Sequence, residues 1–433
     1  MRAFRRATAL TVAAAALAVA AAYEGPRTFQ ASELLKPAQI KGPHHTVAAS
    51  VKTEGYLHVF DITSDYGPLE AEGEAMLVMR LHEVGALAEL DKVSKSEVFL
   101  KAAGTSVLNV GKGFAAAVKD PGATAKGVGG GVKRFGTNLG RKAKRTTDKA
   151  VDSVAGDDDK AEGDSKSTTA KAADAGTGMA YSVLGVSSAS RRWAQKIGVD
   201  PYTTNPILKK ALTDIGQIDA AGGIAAKVVV PVPMVVSTTA SVGNLVWSKD
   251  PEELLKLNEQ TFKELGVGGD TMKQLQLSKG FTVSLHTRLA TSLGAVRVPG
   301  CGDYVATAAE ADTEREALFF VESAAMLARF HQKSPVVAVL PDSRALVAKT
   351  KDGRAVVMLP VDWVRWTEAY DKASSEVETR AKAELGATKL ELQMTGSMSA
   401  VAKKEMAGRG WTVVEHVPSS FELALAKKAA PKS

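Results

Sequence analysis

Residues 334–359 read SPVVAVLPDSRALVAKTKDGRAVVML, three short apolar runs set apart by turn-forming residues. Val336 to Leu340, Ala345 to Thr350 and Arg354 to Leu359 each have the length of a strand. The last two are joined at Asp352-Gly353, a hairpin signal because both residues tolerate the positive φ that a tight turn demands. The stretch therefore predicts a meander. Downstream, Asp362 to Leu385 has a helical pattern, and KLELQMTG (389–396), SMSAVAKKEMAGRG (397–410) and WTVVEHV (411–417) read as strand, helix, strand. Ser397 or Ser399 is available as N-cap, and Gly408 and Gly410 mark the stop. Residues 334–433 thus form a C-terminal α/β domain whose Ala/Lys/Pro tail, from Ala424, is expected to fray.

Upstream the period lengthens. Residues 179–333 predict a helical domain, with helices at Asn205–Ile218, Asp250–Leu265, Phe281–Leu293 and Asp312–His331. Asp250 is placed as N-cap with Pro251 at the first helical position. The last helix has the apolar set Leu318, Val321, Ala325, Leu327 and Phe330. Within this domain, Val228 to Ser248 carries no charge over twenty-one residues. Its length would allow a membrane span, but Pro231, Pro233 and Asn244 favour a buried extended segment leading into a helix, with surface insertion as the second reading.

Residues 23–103 predict a small α+β unit. Thr46 to Gly73 has strand character with a turn at Tyr66-Gly67-Pro68, and alternation at Leu57, Val59 and Asp61 suits one buried face. From Glu74 to about Ala103, Met76, Met79, Leu81, Val84, Leu87, Leu90, Val93 and Leu100 recur at helical steps. The fold class is accordingly α+β multidomain: a small strand-plus-long-helix unit, a Gly/Lys-rich segment and acidic linker, a helical middle domain and a C-terminal α/β unit.

Between the first two units lies a segment of different composition, residues 104–149. Val128, Val132, Phe135 and Leu139 fall at helical steps, and Lys126, Lys133, Arg134, Arg141 and Lys144 gather opposite them. Lys126 to Lys149 holds eight basic residues and one acidic one, a net +7 that equals the formal charge of the whole chain. Six glycines from Gly127 to Gly140 cost about 1 kcal/mol each in a helix, so the segment is expected to be disordered alone and helical on an anionic lipid surface, where each basic residue contributes about 1 kcal/mol. A flexible basic tether is the plainer reading. Residues 150–178 have almost no large apolar side chain and read as a disordered linker.

The chain opens with Arg2, Arg5 and Arg6, an Ala-rich apolar run to Ala22 and small residues before Tyr23, the three parts of a secretory signal peptide over residues 1–22. That predicts a periplasmic or secreted protein. Cys301 is the single cysteine, so no intrachain disulfide can form, and an inert, partly buried thiol is expected.

Catalytic motifs are missing: there is no P-loop, HExxH, GxSxG elbow or paired CxxC. His44, His45, His58 and His82 could approach one another as metal ligands, but their spacing favours isolated roles, with His82-Glu83 as an exposed helical pair. His286 and His331 are lone helix residues, and Glu310, Asp312, Glu314 and Glu316 suit a helix N-terminus. Trp363 and Trp366 suit a core or domain contact. The Thr395-Gly396-Ser397 turn could hold an anion, as any such turn could. Neither cofactor nor metal is implied. The sequence therefore predicts a non-enzymatic, exported envelope protein that meets an anionic membrane surface, or an envelope protein partner, through Lys126, Val128, Val132, Lys133, Arg134, Phe135, Leu139, Arg141 and Lys144. Nucleic acid is disfavoured by the export signal and the scarcity of stacking aromatics. The alternative is a secreted enzyme or ligand-binding protein with a site between the helical and C-terminal domains.

Overall fold

The computed structural model describes residues 23–97, 186–222 and 240–420. The leader, the basic segment with all nine of its membrane-facing candidates, the acidic linker, residues 223–239 and the tail lie outside the described residues.

The chain is mixed α/β. It begins with β1 (Thr28–Gln30), α1 (Ala31–Leu34), α2 (Pro37–Ile40), β2 (Lys41–Gly42), β3 (His45–Val47), β4 (Ser50–Glu54), β5 (Leu57–Ser64) and β6 (Gly67–Glu72). All six strands join one antiparallel sheet in which the long β5 pairs with β3 and β4 along one edge and with β6 along the other. The buried side of β5 is the opposite of the one expected: His58, Phe60 and Ile62 point inward, whereas Leu57 and Val59 are half-buried and Asp61 is exposed. Side chains alternate with period two, so a one-residue change of phase turns every side chain over. Phe60 and Ile62 outweigh a face that would have buried Asp61.

Helix α3 (Glu74–Ser94) crosses this sheet. It ends at Ser94, where Ser94 Oγ and Ser96 Oγ donate to the carbonyls of Asp91 and Val93 and compete with continued helix; the last part of the expected span, 98–103, lies outside the described residues. Its N-cap is Gly73, at φ +100° and without a side chain to offer. The cap comes instead from across the molecule: Asp362 accepts the Glu74 N–H at 3.2 Å and the His58 N–H at 2.8 Å.

A helical layer follows, formed by α4 (Ser188–Ile197), α5 (Pro206–Gly222), α6 (Ala240–Ser248), α7 (Pro251–Glu264), α8 (Gly269–Leu277), α9 (Val283–Gly294), α10 (Cys301–Ala308) and α11 (Glu314–Lys333). Thr282 and Thr313 cap α9 and α11 through their hydroxyls, one or two residues inside the predicted starts. Asp250 does precede Pro251, but its carboxylate pairs with Arg191 of α4 rather than with the helix it begins. Cys301, expected to be partly buried, opens α10 and is fully buried, and burial pushes its thiol pKa up. Among the described residues no helix is long and apolar enough to cross a membrane.

The C-terminal part consists of β7 (Val336–Val339), β8 (Leu346–Thr350), β9 (Arg354–Leu359), β10 (Trp363–Val364), α12 (Glu368–Leu385), β11 (Lys389–Met394), β12 (Ser397–Met398), α13 (Ala400–Gly408) and β13 (Trp411–Val414). The predicted meander is present, with Gly353 at φ +87° in its second turn. β9, β11 and β13 continue the sheet in parallel, so the order is β7-β8-β9-β11-β13. Both faces are buried. Leu346, Ala348, Val356 and Met358 join the apolar cluster that holds α9, α11 and the N-terminal sheet. Val347, Ala355, Val357, Leu390 and Leu392 point the other way, toward α12 and α13. One core therefore runs from Phe29 and Phe60 through α11 to the C-terminal sheet, and the lower half of α3 packs with α4, α5 and α6 in a second cluster.

Asp362 joins the first and last parts of the chain, so Asp362→Ala leaves two N–H groups without an acceptor. It is expected to lower unfolding free energy by about 2–4 kcal/mol, with Asp362→Asn losing less because it keeps an acceptor. Urea denaturation followed by circular dichroism measures this, and a loss below about 0.5 kcal/mol would contradict the role.

Candidate functional site

Helix α12 lies over the C-terminal sheet with an unusual inward stripe: Tyr370, Ser374, Val377, Ala381 and Leu385, spaced at three and four residues. Its two ends are large and its middle small. Opposite the middle stand Val357 and Leu359 of β9 and Leu392 of β11. Between them lies a pocket, enclosing about 730 Å³ of atom-free space that includes its open mouth. Ala373 and Val361 complete its sides, and Met406 of α13 and Trp411 of β13 close one end. Phe319 of α11 and Tyr56, from the turn between β4 and β5, also line it.

Tyr56 reaches the pocket because its carbonyl accepts the N–H groups of Asp362 (3.0 Å) and Trp363 (3.1 Å). Its ring stands edge-on to Tyr370, 6.1 Å between centroids. Burial pushes the Tyr56 hydroxyl up to about 12 against the opposing pull of Arg365, and raises Tyr370 as well. Both are neutral phenols at physiological pH, able to donate a hydrogen bond but not to act as bases. Among the described residues, the one charged lining residue is Arg344, just before β8. Its side chain is 22% exposed, its guanidinium stands 5.8 Å from the Phe320 ring, and the nearest carboxylate oxygen, Oε1 of Glu316, is 4.0 Å away. The lining is thus apolar, with one lightly neutralised cation.

The sequence-derived candidates fall elsewhere. His44 pairs with Asp65 at 2.8 Å, His45 with the Gln39 carbonyl, His58 with Thr53 Oγ1 and His82 with the Gly198 carbonyl, so each has its own local partner. No group of three metal-binding side chains occurs among the described residues. Glu83, expected to be exposed, is buried: it accepts from Arg80 at 2.9 Å and from Asn205 at 3.1 Å, and Thr203 donates to it. Arg80 in turn donates to Glu314 at 2.8 Å, so this acid at the start of α11 also joins two helices. The Thr395-Gly396-Ser397 turn has no amide to spare, since its N–H groups donate to the carbonyls of Leu359, Val361 and Asp362. Trp366 is buried with Arg409 over its ring, and Trp363 stands edge-on to Phe29. His331 accepts the Val336 N–H.

What the sequence reading missed is the alternation of size along α12. The stripe was visible as a helix, but periodicity counts apolar positions and not their volumes. The junction between α11 and the sheet, by contrast, is filled by apolar side chains. The chain matches no protein-family model, no curated protein and no solved structure.

Two interior histidines set the acid limit of the fold. Burial lowers His58 to about 4 and His286 to about 3. The folded state keeps both neutral while the unfolded state takes up protons below about 6.5, so their contribution is complete above that pH and is lost as pH falls through the window. Asp200, raised to about 6 by burial, acts in the opposite sense. The comparison of wild type with His286→Gln isolates one group. Between pH 6 and 4 the variant's stability is expected to fall less steeply, by about 1.4 kcal/mol per pH unit, in urea titrations. Parallel pH profiles would contradict the assignment.

Proposed function

We propose that this protein is an exported, non-enzymatic envelope protein that holds an apolar small molecule in the pocket under α12 and meets anionic lipid through residues 104–146. The observation that carries the first half is the pocket's lining, walled by carbon, with no group among the described lining residues poised to titrate near neutrality. Acid–base and nucleophilic chemistry need such a group, so the geometry favours binding. The lipid-facing half is supported by the net +7 of Lys126 to Lys149 and the in-phase apolar positions Val128, Val132, Phe135 and Leu139. An apolar cargo and a membrane-facing segment are chemically consistent with each other.

Two measurements test the halves separately. Nile red, an uncharged dye, is expected to brighten with the wild-type protein, and filling the pocket by Ala373→Trp or Val377→Trp is expected to abolish the change while circular dichroism is retained. Equal brightening by both variants would place dye binding outside the pocket and contradict the proposal. Replacing Lys133, Arg134, Arg141 and Lys144 by Gln is expected to release the protein from anionic vesicles in a flotation assay. Unchanged flotation would remove the lipid-facing role.

A further inference from the structure

From the position of Arg344 we infer that the cargo is a single-chain amphiphile with a monoanionic head, its alkyl chain under α12 and its head at the guanidinium. This rests on the pocket being a binding site and adds which chemistry it selects. The argument begins with charge. A buried guanidinium is normally held by a carboxylate at hydrogen-bond distance, as in Arg80 with Glu83 at 2.9 Å and Arg315 with Glu72 at 2.8 Å. Arg344 is different: Glu316 Oε1 stands at 4.0 Å, outside hydrogen-bond range, while Glu316 Oε2 is engaged by the Asp312 N–H at 2.9 Å in the first turn of α11. The helix start fixes Glu316 where it can attract Arg344 without saturating it. The five N–H donors of an arginine suit an incoming carboxylate in a two-pronged pair.

Geometry supplies the second part. Arg344 belongs to the lining, and its side chain is also partly exposed, so a head group bound there can keep contact with solvent. Away from it the lining carries no charge, and the two phenols are neutral. A dianionic or zwitterionic head would place unmatched charge against these walls, at a desolvation cost. One negative group at the rim and a hydrocarbon chain inside match what is present. The Phe320 ring, 5.8 Å from the guanidinium, attracts the cation without occupying its N–H donors.

The test uses decanoate and decanol, which share chain length and differ in head, titrated into the full chain by calorimetry. Decanoate is expected to bind more tightly than decanol. Arg344→Gln is expected to weaken decanoate roughly ten- to a hundredfold and leave decanol unchanged, which also shows that the variant is folded. Glu316→Gln keeps an acceptor for the Asp312 N–H but removes the competing charge, and is expected to tighten decanoate by about fivefold, a gain that mere disturbance of the fold would not produce. Octanoate, decanoate and dodecanoate should improve by about fourfold per methylene while the chain is being buried. Equal affinity for decanoate and decanol, or an Arg344→Gln variant that weakens both alike, overturns the inference while leaving the pocket reading intact. If neither ligand binds and Nile red does not respond, the pocket reading itself fails.

Discussion

The carboxylate of Asp362 holds together parts of the chain 288 and 304 residues apart. Helix α3 begins at a glycine with positive φ, so the positive end of its dipole and its first free N–H lack a local acceptor. Asp362, between β9 and β10, supplies one and also accepts the His58 N–H from β5. Its own N–H returns the link by donating to the Tyr56 carbonyl. Gly396 passes so close beneath that an added Cβ would stand 1.9 Å from the Asp362 carbonyl oxygen, which explains glycine there. These contacts fix the turn between β4 and β5 against the C-terminal sheet, and that turn carries Tyr56 into the pocket wall.

The pocket is a consequence of packing volume as much as of position. Protein interiors are close-packed, and large apolar side chains usually interdigitate between helix and sheet. On the α11 side of the sheet they do, where Leu318, Val321 and Leu327 share one buried cluster with Leu346, Val356 and Met358. On the α12 side the packing is looser: Tyr370, Ala373, Ser374 and Val377 line the pocket opposite Val357 and Leu392, while Ala381 and Leu385 further along the helix join the buried cluster. Ser374 Oγ donates to the Asp371 carbonyl, and the side chain of Asp371 is tied to Arg409 and to Tyr23. Those polar contacts secure the N-terminal end of α12 by means other than apolar packing, which lets the space beneath remain.

Much of the architecture was legible. The Asp352-Gly353 hairpin, the strand after Leu385, Ser399 as the cap of α13 and the order of the main helices all follow from local rules of turn, cap and period. Less legible was whatever depends on distant residues. The buried face of β5 turned on whether Phe60 or Asp61 would be inside, the cap of α3 came from Asp362, and Glu83 lost its exposure to a partner at Asn205. Helices α4, α8 and α10 are short, and their stripes are too brief to stand out from loops. The pocket needed both the α12 stripe and its opposing strands, a pairing that only the folded chain displays.

The central claim is that the space between α12 and the sheet is a site for an alkyl chain. A crystal structure with ω-bromododecanoate tests it most directly, because the anomalous signal of bromine locates the chain end without interpretation of weak density. The account predicts a bromine peak among Val357, Val377, Leu392 and Met406, with the carboxylate toward Arg344. A crystal grown with the same ligand that shows the pocket collapsed, or the bromine bound elsewhere on the protein, would contradict it.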